Sequence, residues 1–151
     1  MKIKNVLALL LALVMCTALV ACSGETDKST DTSANTTDLG ESAEAKHQEH
    51  IRKFISAVSD GNYDEAKKLL HPSSKLAPQK YFTEKGESLR VDFSTGIELR
   101  RFTGFGSLEH DGKQLVDYNV MLVVEDVRVY GNISILDDSE GFGVYLIDLY
   151  Y

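Results

Sequence analysis

The chain has 151 residues and only two cysteines, Cys16 and Cys22, both within its first 22 positions. Everything after Cys22 must therefore fold without a disulfide, a thiol nucleophile or a thiolate metal site. Basic charge is also scarce: 16 Lys and Arg against 23 Asp and Glu leave a net charge of −7. No basic stripe with interleaved aromatics occurs, which argues against a nucleic-acid surface. Proline occurs twice, as Pro72 and Pro78. There is one long hydrophobic run, Val6 to Val20, and it is short for a membrane span, which needs about 20 apolar residues.

That run follows Lys2 and Lys4 and gives way to a polar tract from Ser23, the layout of a secretory signal. Leu19, Val20, Ala21 and Cys22 resemble the lipobox of bacterial lipoproteins at every position. Leu13-Val14-Met15-Cys16 fits less well, because Met15 is large where a small residue is wanted. The resemblance implies a diacylglycerol group on the Cys22 thiol and cleavage between Ala21 and Cys22. Two acyl chains hold a protein to a membrane stably. Residues 1–21 are then a signal peptide, and the mature protein is anchored on the extracytoplasmic face of the cell membrane. Losing Lys2 and Lys4 takes the net charge from −7 to about −9. Residues 22–44 are rich in Ser, Thr, Asp, Glu and Ala, with Leu39 alone among large apolar residues. Such a segment cannot bury enough surface to offset its ordering entropy, so it is expected to be a disordered tether.

The remaining stretch, 45–151, has the size of one domain. Ile51, Phe54, Ile55 and Val58 recur at helical spacing and predict a helix from about Ala45 to Ser59. Asp60-Gly61-Asn62 ends it. Asn62 caps a second helix, with Glu65 in position to complete a capping box; that helix ends at His71-Pro72. A third starts near Pro78 and ends at Gly86. From about Val91 the period becomes two, and it slips by one residue at Arg100-Arg101, which predicts a β-bulge. Asp111-Gly112 is a hairpin turn. Strands are expected over 114–124, 127–136 and 142–151. Helices followed by consecutive hairpins make an α+β fold, N-terminal helices packed on a bent antiparallel meander.

The segment FISAVSDGNYDEAKKLL, Phe54 to Leu70, and the order of elements resemble nuclear transport factor 2-like, or cystatin-like, domains. This resemblance covers roughly 45–151. It implies a sheet curled around the helices into a cone with an internal pocket. Tyr145 would take the place of a closing-strand tryptophan, since the chain has no Trp. Alternation then assigns inward faces to Val116, Tyr118, Val120, Leu122 and Val124, to Val129, Ile133 and Ile135, and to Tyr145, Ile147 and Leu149. Either these fill the core completely, or they line an apolar pocket for a small apolar or amphipathic ligand, with Tyr63, Tyr81, Tyr118 and Tyr145 as candidate pocket residues.

Enzymes of this resemblance carry carboxylates or histidines inside the cone. Here Asp117 and Asp148 fall on the outward phase, and His47, His50, His71 and His110 are expected at helix surfaces, a helix end and a turn. No catalytic residue, cofactor or metal site is therefore expected. Met121, Val123, Val144 and Leu146 fall on the face opposite the presumed core. Four apolar residues there form a candidate interface, for a second copy or an extracytoplasmic protein. The expected role is a non-enzymatic module for protein interaction or small-ligand binding. The alternatives are a cone-pocket enzyme and a transport accessory protein.

Overall fold

A computed structural model describes residues 40–151. The signal peptide, Cys22 and most of the tether lie outside the described residues. Helices α1 (Glu41–Ser59), α2 (Tyr63–Lys68) and α3 (Pro78–Leu89) come first, then a 3₁₀ turn at Phe93–Thr95. Strands β1 (Glu98–His110), β2 (Lys113–Val124), β3 (Val127–Asp138) and β4 (Gly141–Tyr150) follow. They form one antiparallel sheet in the order β1-β2-β3-β4. This is the α+β arrangement expected from the change of period.

The local signals act mostly as their chemistry demands. The Asn62 side chain accepts from the Glu65 N–H at 3.2 Å, but the Glu65 carboxylate turns to Lys68 at 2.8 Å, so only half of the capping box forms. Pro78 opens α3. Gly86 does not end that helix, which runs on to Leu89. A Cβ at Gly86 would lie 2.7 Å from the Val91 carbonyl oxygen, so this glycine admits the returning chain. Arg90 turns it, in the left-handed region at φ 53°. The Asp111-Gly112 turn has both residues at positive φ, the hairpin geometry that matches strand twist. Register shifts between Leu99 and Arg101, and again between Phe102 and Gly104, realise the bulge expected at Arg100-Arg101 and add a second.

Helix α1 starts at Glu41, earlier than the apolar pattern suggested, so its first turn takes up the end of the expected tether. His47, four residues before Ile51, shares the buried stripe of Ile51, Phe54 and Val58. These meet Phe82, Phe93, Tyr118, Val120, Leu122, Val129, Ile133 and Ile147 in one core. Emptying a buried phenylalanine such as Phe54 would cost about 3–5 kcal/mol.

The free side of β4 is covered. The chain leaving α2 runs beside it and bridges Leu70 to Val144 in parallel. The His71 N–H donates to the Val144 carbonyl at 2.9 Å, and the Val144 N–H to the Leu69 carbonyl at 3.0 Å. Further along, Ser74 Oγ donates to the Tyr145 carbonyl at 2.8 Å. The Leu149 N–H donates to Tyr81 Oη at 3.0 Å, and Lys85 Nζ to the Leu149 carbonyl at 2.9 Å.

Candidate functional site

The four tyrosines named as pocket residues do not converge. Tyr118 is fully buried, with Phe102 and Phe105 at ring distances of 5.9 and 5.6 Å. Its hydroxyl meets His47 Nδ1 at 3.1 Å. Burial, helped by Glu44, pushes the Tyr118 phenol up to about 12. Tyr81 spends its hydroxyl on the Leu149 N–H, and burial raises it well above its ordinary value. Tyr63 lines a surface groove of about 480 Å³ with Phe82, Arg90, Phe93 and Glu125. Tyr145 lines a separate recess of about 240 Å³ with Leu76, His110 and Leu146. Tyr118 is among the largest of the fully buried side chains that make up the core between helices and sheet.

Two histidines expected at the surface are interior. His47 is 3% exposed, because it lies one turn before Ile51 on the buried face of α1. Burial lowers its pKa against the pull of Asp137, which keeps the imidazole neutral and hydrogen-bonded to Tyr118. His50 Nε2 turns to the Leu69 carbonyl at 2.8 Å, and Glu44 takes Gln48 at 2.7 Å. Glu44, His47 and His50 thus each face a different partner.

His71 is 1% exposed. Its Nε2 faces Asp138 Oδ1 at 3.1 Å, so that nitrogen carries the proton and donates. Nδ1 accepts from Ser73 Oγ at 2.8 Å and from the Ser73 N–H at 3.1 Å. A serine, a histidine and an aspartate in contact resemble a catalytic relay, but the ring is sealed and Nδ1 is shared with a backbone amide. The group acts as a stitch between the α2–α3 connection and the β3–β4 hairpin. Asp138 is its anchor. Burial alone would raise this carboxyl; hydrogen bonds from the Glu140 N–H, Lys113 and His71 outweigh it and hold it at about 2. The sequence signals none of this, because Ser73 and Asp138 come together only through the fold.

The outward face of the sheet is the remaining surface of note. Met121 pairs across to Arg101 on one side and Tyr130 on the other, and Tyr130 to Tyr150. Met121, Val123, Tyr130 and Leu146 are half-buried there, and Tyr150 is 44% exposed. Arg100, Met121, Val123, Asp126 and Arg128 line a recess of about 370 Å³. Beside these apolar groups lies a polar centre, where Ser134 Oγ donates to Asp117 Oδ1 at 2.6 Å. Val144 does not belong to this face. It is 0% exposed and part of the core. A register shift at Ser134/Ile135, opposite Tyr145, inverts the phase of β4, turning Val144 inward and Tyr145 away. The outward patch is therefore Met121, Val123 and Leu146, joined by Tyr130 and Tyr150.

No family profile matches the chain, and no curated protein matches it. Among solved structures, one described as an "Ntf2 like protein involved in plasmid conjugation" is similar with a TM-score of 0.49 and 8% identity, over 87% of this chain and 48% of that one. The chain thus spans about half the length of that protein.

Proposed function

We propose that this protein is a lipid-anchored extracytoplasmic module of nuclear transport factor 2-like design that binds a protein partner through its outward sheet face and performs no chemistry. The observation that carries this reading is the contrast between an interior where the candidate pocket tyrosines do not converge and a half-exposed apolar face. Met121, Val123, Tyr130 and Tyr150 offer the aromatic and apolar anchors that dominate interface energetics. Arg100, Arg101 and Arg128 border them, and arginine is enriched in such surfaces. The element order and the bulged β1 support the domain class, and Leu19 to Cys22 supports the anchor.

A photo-crosslinking residue at Tyr130 in the full-length chain tests the contact. A single adduct that disappears with Met121→Glu, while thermal unfolding is unchanged, is the expected result. The same adduct with Met121→Glu would sink the reading. The anchor is tested separately: Cys22→Ser should move the protein from the membrane fraction to the soluble one.

One feature favours a small ligand as a second reading. The groove at Tyr63 has a volume within the range of small-molecule sites, about 300–1,000 Å³. Its floor is aromatic, from Phe82 and Phe93. Native mass spectrometry of gently purified protein should then show added mass that Tyr63→Ala removes.

A further inference from the structure

Lysine and arginine are used differently in this fold. Among the described residues every lysine except Lys75 has a carboxylate partner, whereas Arg100 alone of the arginines has one. Arg52 lies over the Phe102 ring, 5.0 Å from its centroid. Arg101 and Arg128 stand on the outward sheet face, across from Met121 and Val123 respectively. We propose that the partner of this face is a protein segment carrying an aspartate or glutamate beside an apolar side chain. Its carboxylate is held by Arg101 and Arg128 with Arg100, and its apolar group lies on Met121 and Val123. This rests on the outward-face reading and adds the chemistry of the partner.

The register places charge and apolar surface together. Met121 and Val123 are two apart on β2, so both leave the same side of the sheet, and the two arginines flank them from β1 and β3. Arg100 and Arg128 line the recess of about 370 Å³ with Met121 and Val123. Asp126 lines it too, but among the described residues it pairs with neither arginine. Arg100 meets Glu98 at 3.0 Å in an exposed pair, of a kind that contributes little. Along the same face Asp117 accepts from Ser134 Oγ, and Asp148 from Lys85. The free charge beside the apolar patch is therefore Arg101 and Arg128 against Asp126, a positive balance in a chain whose net charge is −7. The guanidinium fork matches a carboxylate with two parallel hydrogen bonds, and an apolar partner group that excludes water strengthens them. A second copy seated on this face would bring two free arginines toward two others, with one free aspartate from each chain, so the charge selects an acidic partner instead.

The experiment uses the full-length chain expressed in cells, with the photo-crosslinking residue at Tyr130 and mass spectrometry to identify the crosslinked segment. That segment should contain an aspartate or glutamate within a few residues of the crosslink. Arg101→Glu together with Arg128→Glu should lower the adduct several-fold without changing thermal unfolding. Replacing the partner's acidic residue by arginine should then restore the yield. Lys53→Glu together with Arg90→Glu changes the net charge equally on the helical side of the fold and should leave the adduct as it was. If Met121→Glu removes the adduct but the reversal at Arg101 and Arg128 does not, the face remains an interface and the acidic partner is overturned. A crosslinked segment without a nearby carboxylate, an adduct to lipid, a product of two chain masses, or an equal loss from the control pair would each overturn it too. No adduct at Tyr130 would overturn the face reading and this proposal together.

Discussion

The two edges of one sheet are finished in opposite ways. Strand β4 is sealed by two backbone hydrogen bonds, two side-chain bonds to its carbonyls and one tyrosine hydroxyl under its last amides. Strand β1 is longer and bulged, carries consecutive arginines and, among the described residues, has no strand on its other side. Both treatments answer the same hazard, a row of unpaired amides and carbonyls. The covered edge is protected by contact, and contact demands close approach. The open edge has its bulges and its arginines in one half, Glu98 to Thr103, while Gly104 to His110 runs in regular register beside β2.

A single methyl group separates the two edges most sharply. A Cβ on Gly143 would lie 2.5 Å from the His71 nitrogen and 2.6 Å from the Leu70 carbonyl carbon. Neither can retreat without tearing the strap from β4, so Gly143→Ala should cost about 3 kcal/mol, at the upper end of overpacking effects. Gly106→Ala, on the open edge, meets nothing and should change stability by about 0.5 kcal/mol or less. Urea midpoints of the two variants measure the difference directly; equal midpoints would mean that the strap does not hold β4.

A smaller loss is expected from Tyr81→Phe. It leaves the Leu149 N–H of the covered edge without its partner and should cost about 1–2 kcal/mol. Hydrogen exchange at Leu149 should accelerate with it, while amides of Gly104 to His110 keep their rates.

The smallest effect is in acid. Asp138 is lowered in the folded state to about 2, against an ordinary value of 3.8. Its contribution is therefore complete above about pH 4 and is lost as pH falls from there toward about 2. His47, lowered by burial, acts earlier and with the same sign, its contribution falling away below its ordinary value of 6.5 as the unfolded chain takes up a proton first. Asp138→Asn should flatten the stability profile below pH 4 and leave the part near pH 6 intact; an unchanged slope below pH 4 would remove Asp138 from the stitch.

How far the sequence alone reached follows from where apolar residues alternate cleanly. In β2, apolar and polar residues alternate from Val116 to Val120, and Tyr118, Val120, Leu122 and Val124 of the inward face read from it are buried, while Val116 is half-buried. Arg100-Arg101 broke a pattern visibly, so its bulge was legible. In β4 the run Phe142 to Ile147 has no charged residue in either phase. A phase inversion there leaves no trace, and Val144 and Tyr145 exchanged faces unseen. His47 was misplaced because its residue type was read as solvated, although its spacing of four from Ile51 puts it on the buried stripe. The outward recess drew Met121 and Val123 from alternation, but Arg128 joined them only through the β2–β3 register.

Order of assembly follows from the bridge between Leu70 and Val144. The four strands are joined by tight hairpins, so their contacts form between near neighbours in the chain, and such contacts form fast. The strap instead joins residues 74 positions apart, 70 to 144, and it has nothing to pair with until β4 lies against β3. The seal on the sheet is therefore the last piece set in place. Until it docks, both edges of the sheet lack a backbone partner among the described residues; afterwards only β1 does.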